Sequence, residues 1–280
     1  MYNVVTKILL TFVVFLVVSC GSSDKQNAEK LLNEAKSHII VKDYASALKL
    51  LDSIDVVYSS QVEVRRRAMH IRPKAIEGTT LKEHEKNDSI IAILQAKYNE
   101  LSSNFETIRD KRLVEPYIVA KKANKSLFET TGIQARITPD GEFYVISSLV
   151  GTPIKHTSVS FICGNNEVST STVGYDGDRN YRSGSTEMIT FINTECDTLG
   201  VFARANAGKS MTLRFNGSKS KNIKISKEDI KTFAMTHEYA SVITDLKSAF
   251  RKKEFLDQQL LLARDQIART LDDSMIESNN

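Results

Sequence analysis

The sequence predicts an α+β protein: a helical N-terminal region and a long C-terminal helix, with an all-β module inserted between them. Three observations predict it. Ile91, Leu94, Tyr98, Leu101, Phe105 and Ile108 recur at alternating intervals of three and four, the spacing of an apolar a/d seam on a helix. Tyr239, Val242, Leu246, Ala249, Lys253, Leu256, Leu260, Ala263 and Ile267 make a second seam, with Lys253 its one charged interruption. Between the seams, residues 117–226 alternate apolar and polar side chains in short runs broken by turn residues.

The first residues read as an address. Lys7 is the only charge before the apolar run Ile8–Val18, which is too short to span a bilayer but suits the core of an export signal. The run ends in Val17-Val18-Ser19-Cys20. This resembles the lipobox of bacterial lipoproteins. The resemblance implies that residues 1–19 are removed, that Cys20 carries lipid, and that the mature chain is held to a membrane by acyl chains. Gly21, where an Asp would signal retention at the inner membrane, implies the outer membrane of a Gram-negative cell envelope, its face left open. Residues 20–27 are then a lipidated tether.

Residues 28–116 are expected to be helical. Leu31, Ala35, His38 and Ile39 share a helix face, and Ala35, Tyr44, Ala47 and Leu51 alternate small and large packing residues. This spacing resembles one tetratricopeptide repeat of about 34 residues, without the Gly usual at the position of Ala35. No second good copy follows, so a single helical hairpin is expected. Residues 61–83 predict a helix interrupted at Pro73, which has no N–H to donate, with a break at Gly78-Thr79-Thr80. Asp88-Ser89 would cap the seamed helix that follows.

The β module, 117–226, contains the alternating runs Phe143–Ile146, Ser158–Cys163, Leu199-Val201-Ala203 and Met211-Leu213-Phe215. Turns are expected at Pro139-Asp140-Gly141, Gly164-Asn165-Asn166, Asp176-Gly177-Asp178 and Asn206-Ala207-Gly208. A sandwich and a barrel are both compatible with this pattern. The second seam occupies 227–272, and 273–280 is a tail. The two seams fit an antiparallel pair within one chain, or a homodimer in which each seam meets a second copy.

The 280 residues are 41% hydrophobic and 26% charged, with a net charge of +4, too small to demand an anionic partner. Nucleic acid is not expected as one. Motifs that suggest chemistry weaken on inspection. Ala203–Ser210 has the outline of a phosphate loop, but a strand pattern follows where a helix N-terminus is needed. Asp176-Gly177-Asp178-Arg179-Asn180, with Glu187 at the twelfth position, resembles a calcium loop, yet Tyr181 stands where the turn needs Gly. The basic cluster Arg65, Arg66, Arg67, Arg72 and Lys74 is expected to be a solvated face. No pair of His or Cys has metal-ligand spacing, and no metal or cofactor is expected.

Ser53, Ser89, Thr198 and Ser274 each follow Asp and precede an apolar residue, which resembles an O-glycosylation acceptor of some Gram-negative bacteria. Export makes a Cys163–Cys196 disulfide a candidate, with two free thiols as the alternative. The expected function is a membrane-anchored, non-catalytic binding or assembly module for a protein or glycan partner. The rivals are a structural subunit that oligomerises through its seams, and a cell-envelope enzyme whose site the sequence does not reveal.

Overall fold

The computed structural model describes residues 20–109, 115–123, 127 and 129–278; the apolar run at 8–18 lies outside them. Its elements are α1 (Cys20–Ile40), α2 (Tyr44–Val57), α3 (Val62–Ser102), β1 (Phe105–Ile108), β2 (Tyr117–Ala120), β3 (Gly132–Ile137), β4 (Phe143–Val150), β5 (Ser158–Cys163), β6 (Asn166–Ser169), β7 (Asn180–Ser183), β8 (Thr186–Phe191), α4 (Asn193–Ala205), β9 (Met211–Asn216), β10 (Ser220–Ile225) and α5 (Lys227–Ser278). The fold class is α+β, with the sheets inserted between the N-terminal helices and the long C-terminal helix. The chain divides into two compact units, residues 1–89 with 250–280, and residues 90–249.

In the first unit, α1 and α2 form a hairpin that buries Ala28, Leu32, Ala35, Ala47, Leu51 and Ile54 together with Val64, Ala68 and Ala75 of α3. Small residues on facing helices allow this close approach. Asp43 caps α2 by accepting from the Ser46 N–H. The expected tether at 20–27 is part of helix α1.

The Pro73 interruption and the Gly78 break do not occur: α3 runs unbroken through both. Pro73 removes one ladder hydrogen bond, and burial of Ala68 and Ala75 on either side offsets that loss. Gly78 is required by contact rather than by a bend. The Tyr44 ring of α2 lies where any Cβ at residue 78 would sit. Thr79 Oγ1 donates to Ala75 O and leaves the helix intact. Asp88 is likewise no cap; it lies inside α3 and pairs with Lys253 Nζ at 2.7 Å.

Within this unit α3 and α5 run antiparallel. Asp88 meets Lys253, His84 meets Asp257 at 2.9 Å, and Glu77 meets Arg264 at 2.8 Å. As residue numbers fall along one helix they rise along the other. Leu256, Leu260 and Ala263 of the second seam are buried inside the chain. The basic cluster is largely tied down: Arg65 and Arg72 pair with Asp55, Arg72 also with Asp52, and Arg67 with Glu29.

The second unit has a six-stranded sheet of order β1-β2-β3-β4-β8-β7 and a four-stranded sheet of order β10-β9-β5-β6, antiparallel at every junction among the described residues. Both sheets have open edges, so there is no barrel. Val145 and Leu149 of the first sheet and Val159, Phe161, Leu213 and Phe215 of the second belong to one core, sealed by Leu199 of α4 and Phe233 of α5. At the β3–β4 turn Gly141 has φ +92°, a conformation favouring glycine.

Two expectations in this unit fail for local reasons. The first seam extends beyond its helix, since Phe105 and Ile108 lie on β1. Side chains of Ser102, Ser103 and Asn104 take the carbonyls of Asn99, Glu100 and Leu101 and end the helix there. Phe105 nevertheless stacks on Tyr239, with ring centroids 4.4 Å apart. Leu199-Val201-Ala203 is helix α4, not strand. Cys196, Leu199, Gly200 and Ala203 face the core at helical spacing, whereas Val201 is exposed. Asn206-Ala207-Gly208 therefore joins α4 to β9 rather than two strands.

Gly78→Ala is expected to lower stability by about 1–2 kcal/mol in urea unfolding, although Ala at an exposed helical position gains about 1 kcal/mol over Gly. An unchanged midpoint would mean that the Tyr44 ring steps aside.

Candidate functional site

The residues singled out in the sequence do not converge. Cys20 opens α1. Ser53 and Ser89 donate their hydroxyls to Lys49 O and Glu85 O one helical turn back, and Thr198 donates to Ser169 O. Ser274 lies near the end of α5. The candidate disulfide is absent: Cys163 and Cys196 are both free thiols. Cys196 is fully buried, with Sγ against Phe191 O and Ile192 O. Burial pushes its thiol far above the ordinary value.

The calcium-loop residues serve two separate ends. Asp176 Oδ1 accepts from the N–H groups of Asp178 and Asn180, shaping its own turn. Glu187 points elsewhere, into the core. Among the described residues no three His, Cys, Asp or Glu side chains gather as a metal site would require.

Glu187 instead organises a buried polar chain that sequence reasoning missed. β4 and β8 pair Leu149 with Glu187 and Ser147 with Ile189, so Ser147 and Glu187 face the same inner side. The segment after β4 crosses from the first sheet to the second, and its turn presents three N–H groups to Glu187. Oε2 accepts from Ile154 and His156, and Oε1 from Lys155 at 2.7 Å. His156 Nδ1 donates to Glu187 Oε2 at 3.1 Å. That tautomer leaves Nε2 as acceptor for the Ser147 hydroxyl at 3.0 Å. Arg182 stands 3.7 Å from Glu187 Oε1 and lies over the Tyr175 ring.

The electrostatics follow. Burial alone would raise the Glu187 carboxyl. Hydrogen bonds from the His156 ring and from the N–H groups of His156, Ile154 and Lys155 outweigh it and hold the group below its ordinary value. Burial dominates at His156 and holds the imidazole below its ordinary value, against the pull of Glu187.

Ser, His and Glu in this order have the connectivity of a nucleophile, base and orienting acid. Exposure decides against that use: Ser147 and His156 are 0% exposed and Glu187 1%. A nucleophile must meet its substrate; this hydroxyl meets only protein.

An accessible recess lies elsewhere in the same module. A cavity of about 160 Å³ opens between β3, β10 and the first turns of α5, lined by Gln134, Ile133, Phe161, Ile223, Phe233 and Thr236 among others. Phe161, Phe233 and Thr236 at its floor are buried, and Lys224 and Asp229 at its rim are exposed. None of the Ser147–His156–Glu187 chain lines it.

No protein-family model, curated protein or solved structure matches the chain.

Stability is expected to be level near pH 7–8 and to fall in acid. A His held low in the fold takes up its proton on unfolding, so stability declines as pH drops below the ordinary His value of 6.5. A carboxyl held low adds stability above its ordinary value of 4.5 and loses it as pH falls through its folded value. Glu187→Gln should cost about 3 kcal/mol at pH 7.5 and weaken the acid dependence below pH 5. Urea unfolding at a series of pH values checks both, and an unaltered profile in the variant would remove Glu187 from this role.

Proposed function

We propose that the protein is a membrane-anchored exported lipoprotein that acts by binding, without catalysis, and that the recess under the start of α5 receives one apolar side chain of a protein partner. The observation that carries this reading is the recess: a buried floor with the two rings Phe161 and Phe233, polar walls, an exposed charged rim and a volume of about 160 Å³. A cavity of about 150 Å³ accommodates benzene, whereas pockets enclosing larger ligands run to about 300–1,000 Å³. One aromatic or branched aliphatic group suits it; a stretch of glycan does not. Such a buried anchor ringed by polar residues is how interfaces concentrate their energy. Gln134 at the wall and Thr236 on the floor would orient the entering group.

The anchor rests on the apolar run 8–18 and Cys20. No described helix is long and apolar enough to cross a membrane; in this reading lipid on Cys20 supplies the attachment.

Two measurements test the two halves separately. Cys20→Ser should abolish incorporation of labelled fatty acid and move the chain out of the membrane fraction; retained label would refute the anchor. A photo-crosslinking side chain at Lys224, in the cell envelope, should yield one discrete protein adduct that Thr232→Phe removes without changing the melting temperature. An adduct indifferent to Thr232→Phe, or formed only with saccharide, would overturn the binding assignment.

A further inference from the structure

The C-terminal part of α5 carries large apolar side chains on both its seam and the opposite side, and among the described residues only the seam is buried. Leu256, Leu260 and Ala263 are buried. Turned about 140–160° from them, at 100° per residue, lies a face centred on Gln258. It exposes Phe255 by 57%, Leu261 by 70% and Leu262 by 62%. Exposed large apolar side chains flanking a polar midline, opposite a filled seam, mark a contact surface.

The order of residues along this face identifies the occupant. Arg251 and Asp265 lie seven residues either side of Gln258 on the same exposed face, which also carries Glu254; Asp265 pairs with Arg269 one turn on. Turning the helix end over end about Gln258 therefore exchanges a cation with an anion. The same operation brings Phe255 of one copy beside Leu262 of the other, and the reverse. The face is complementary to itself in antiparallel orientation, the property of a two-fold interface.

We propose that residues 251–265 of α5 form an isologous antiparallel contact with a second copy of this chain, its two-fold axis passing at Gln258. This contact uses the face opposite the seam and does not depend on the membrane anchor. The stretch is about 21 Å long, shorter than an interface burying about 800 Å² per partner requires. The dimer is consequently weak in dilute solution, and covalent trapping is the suitable readout.

The test is disulfide trapping of the full-length chain under a mild oxidant, with the parent chain as background for its own cysteines. Gln258→Cys, a residue that meets its own copy at the axis, should give a dimer band absent from the parent. Lys49→Cys, exposed on α2, should not. Adding Arg251→Asp to Gln258→Cys should reduce trapping about tenfold, since two like-charge contacts replace two attractive ones. Adding Asp265→Arg as well should restore it. Absence of a Gln258→Cys band, equal trapping at Lys49→Cys, or failure of the charge swap to restore trapping would each overturn the proposal.

Discussion

One carboxylate holds the β module together at its most vulnerable point. Where the chain leaves the first sheet for the second, three consecutive N–H groups turn inward with no strand to pair with. Buried N–H groups need acceptors, and Glu187 supplies them from the neighbouring strand β8. The anion would be prohibitive to bury alone; here N–H groups, an imidazole and a nearby guanidinium replace its water. His156 then passes the arrangement on to Ser147 of β4. One side chain thus fixes the crossover to both β4 and β8, and the common core forms around that crossing.

The large divisions of the fold were legible because they rest on periodicity. Leu256, Leu260 and Ala263 are buried as their spacing implies, and β9 alternates as its sequence does, whereas β4 and β5 are buried on both faces over most of their length. The failures of periodicity share a cause: two periods can coincide in a short segment. Residues 199–203 satisfy a strand alternation and a helix spacing at once, and only burial of Cys196, Leu199 and Ala203 distinguishes them. Phe105 continued the seam spacing by chance of register, while Ser102, Ser103 and Asn104 had already withdrawn the carbonyls that would extend the helix. Pro73 and Gly78 have the look of local punctuation, but tertiary contacts override both.

The site residues were far less legible. Ser147, His156 and Glu187 are separated by 9 and 31 positions, and no spacing rule connects them; only strand register and the crossover do. The recess is equally spatial, drawing on β3, β5, β10 and α5. Arginines 65, 67 and 72 show the converse. A basic run that catches the eye in sequence is met by Glu29, Asp52 and Asp55 on adjacent helices, so the eye-catching charge is already answered within the fold.

The burial of Cys196 has a chemical corollary. Thiolate, not thiol, reacts with oxidants and disulfides, and the core of α4 suppresses the thiolate while excluding the reagent. Cys163, at the end of β5, is only partly buried. Cys196 therefore meets a thiol reagent only at the rate at which α4 lifts from the sheets. Cys196 is a built-in clock for local opening of the β module.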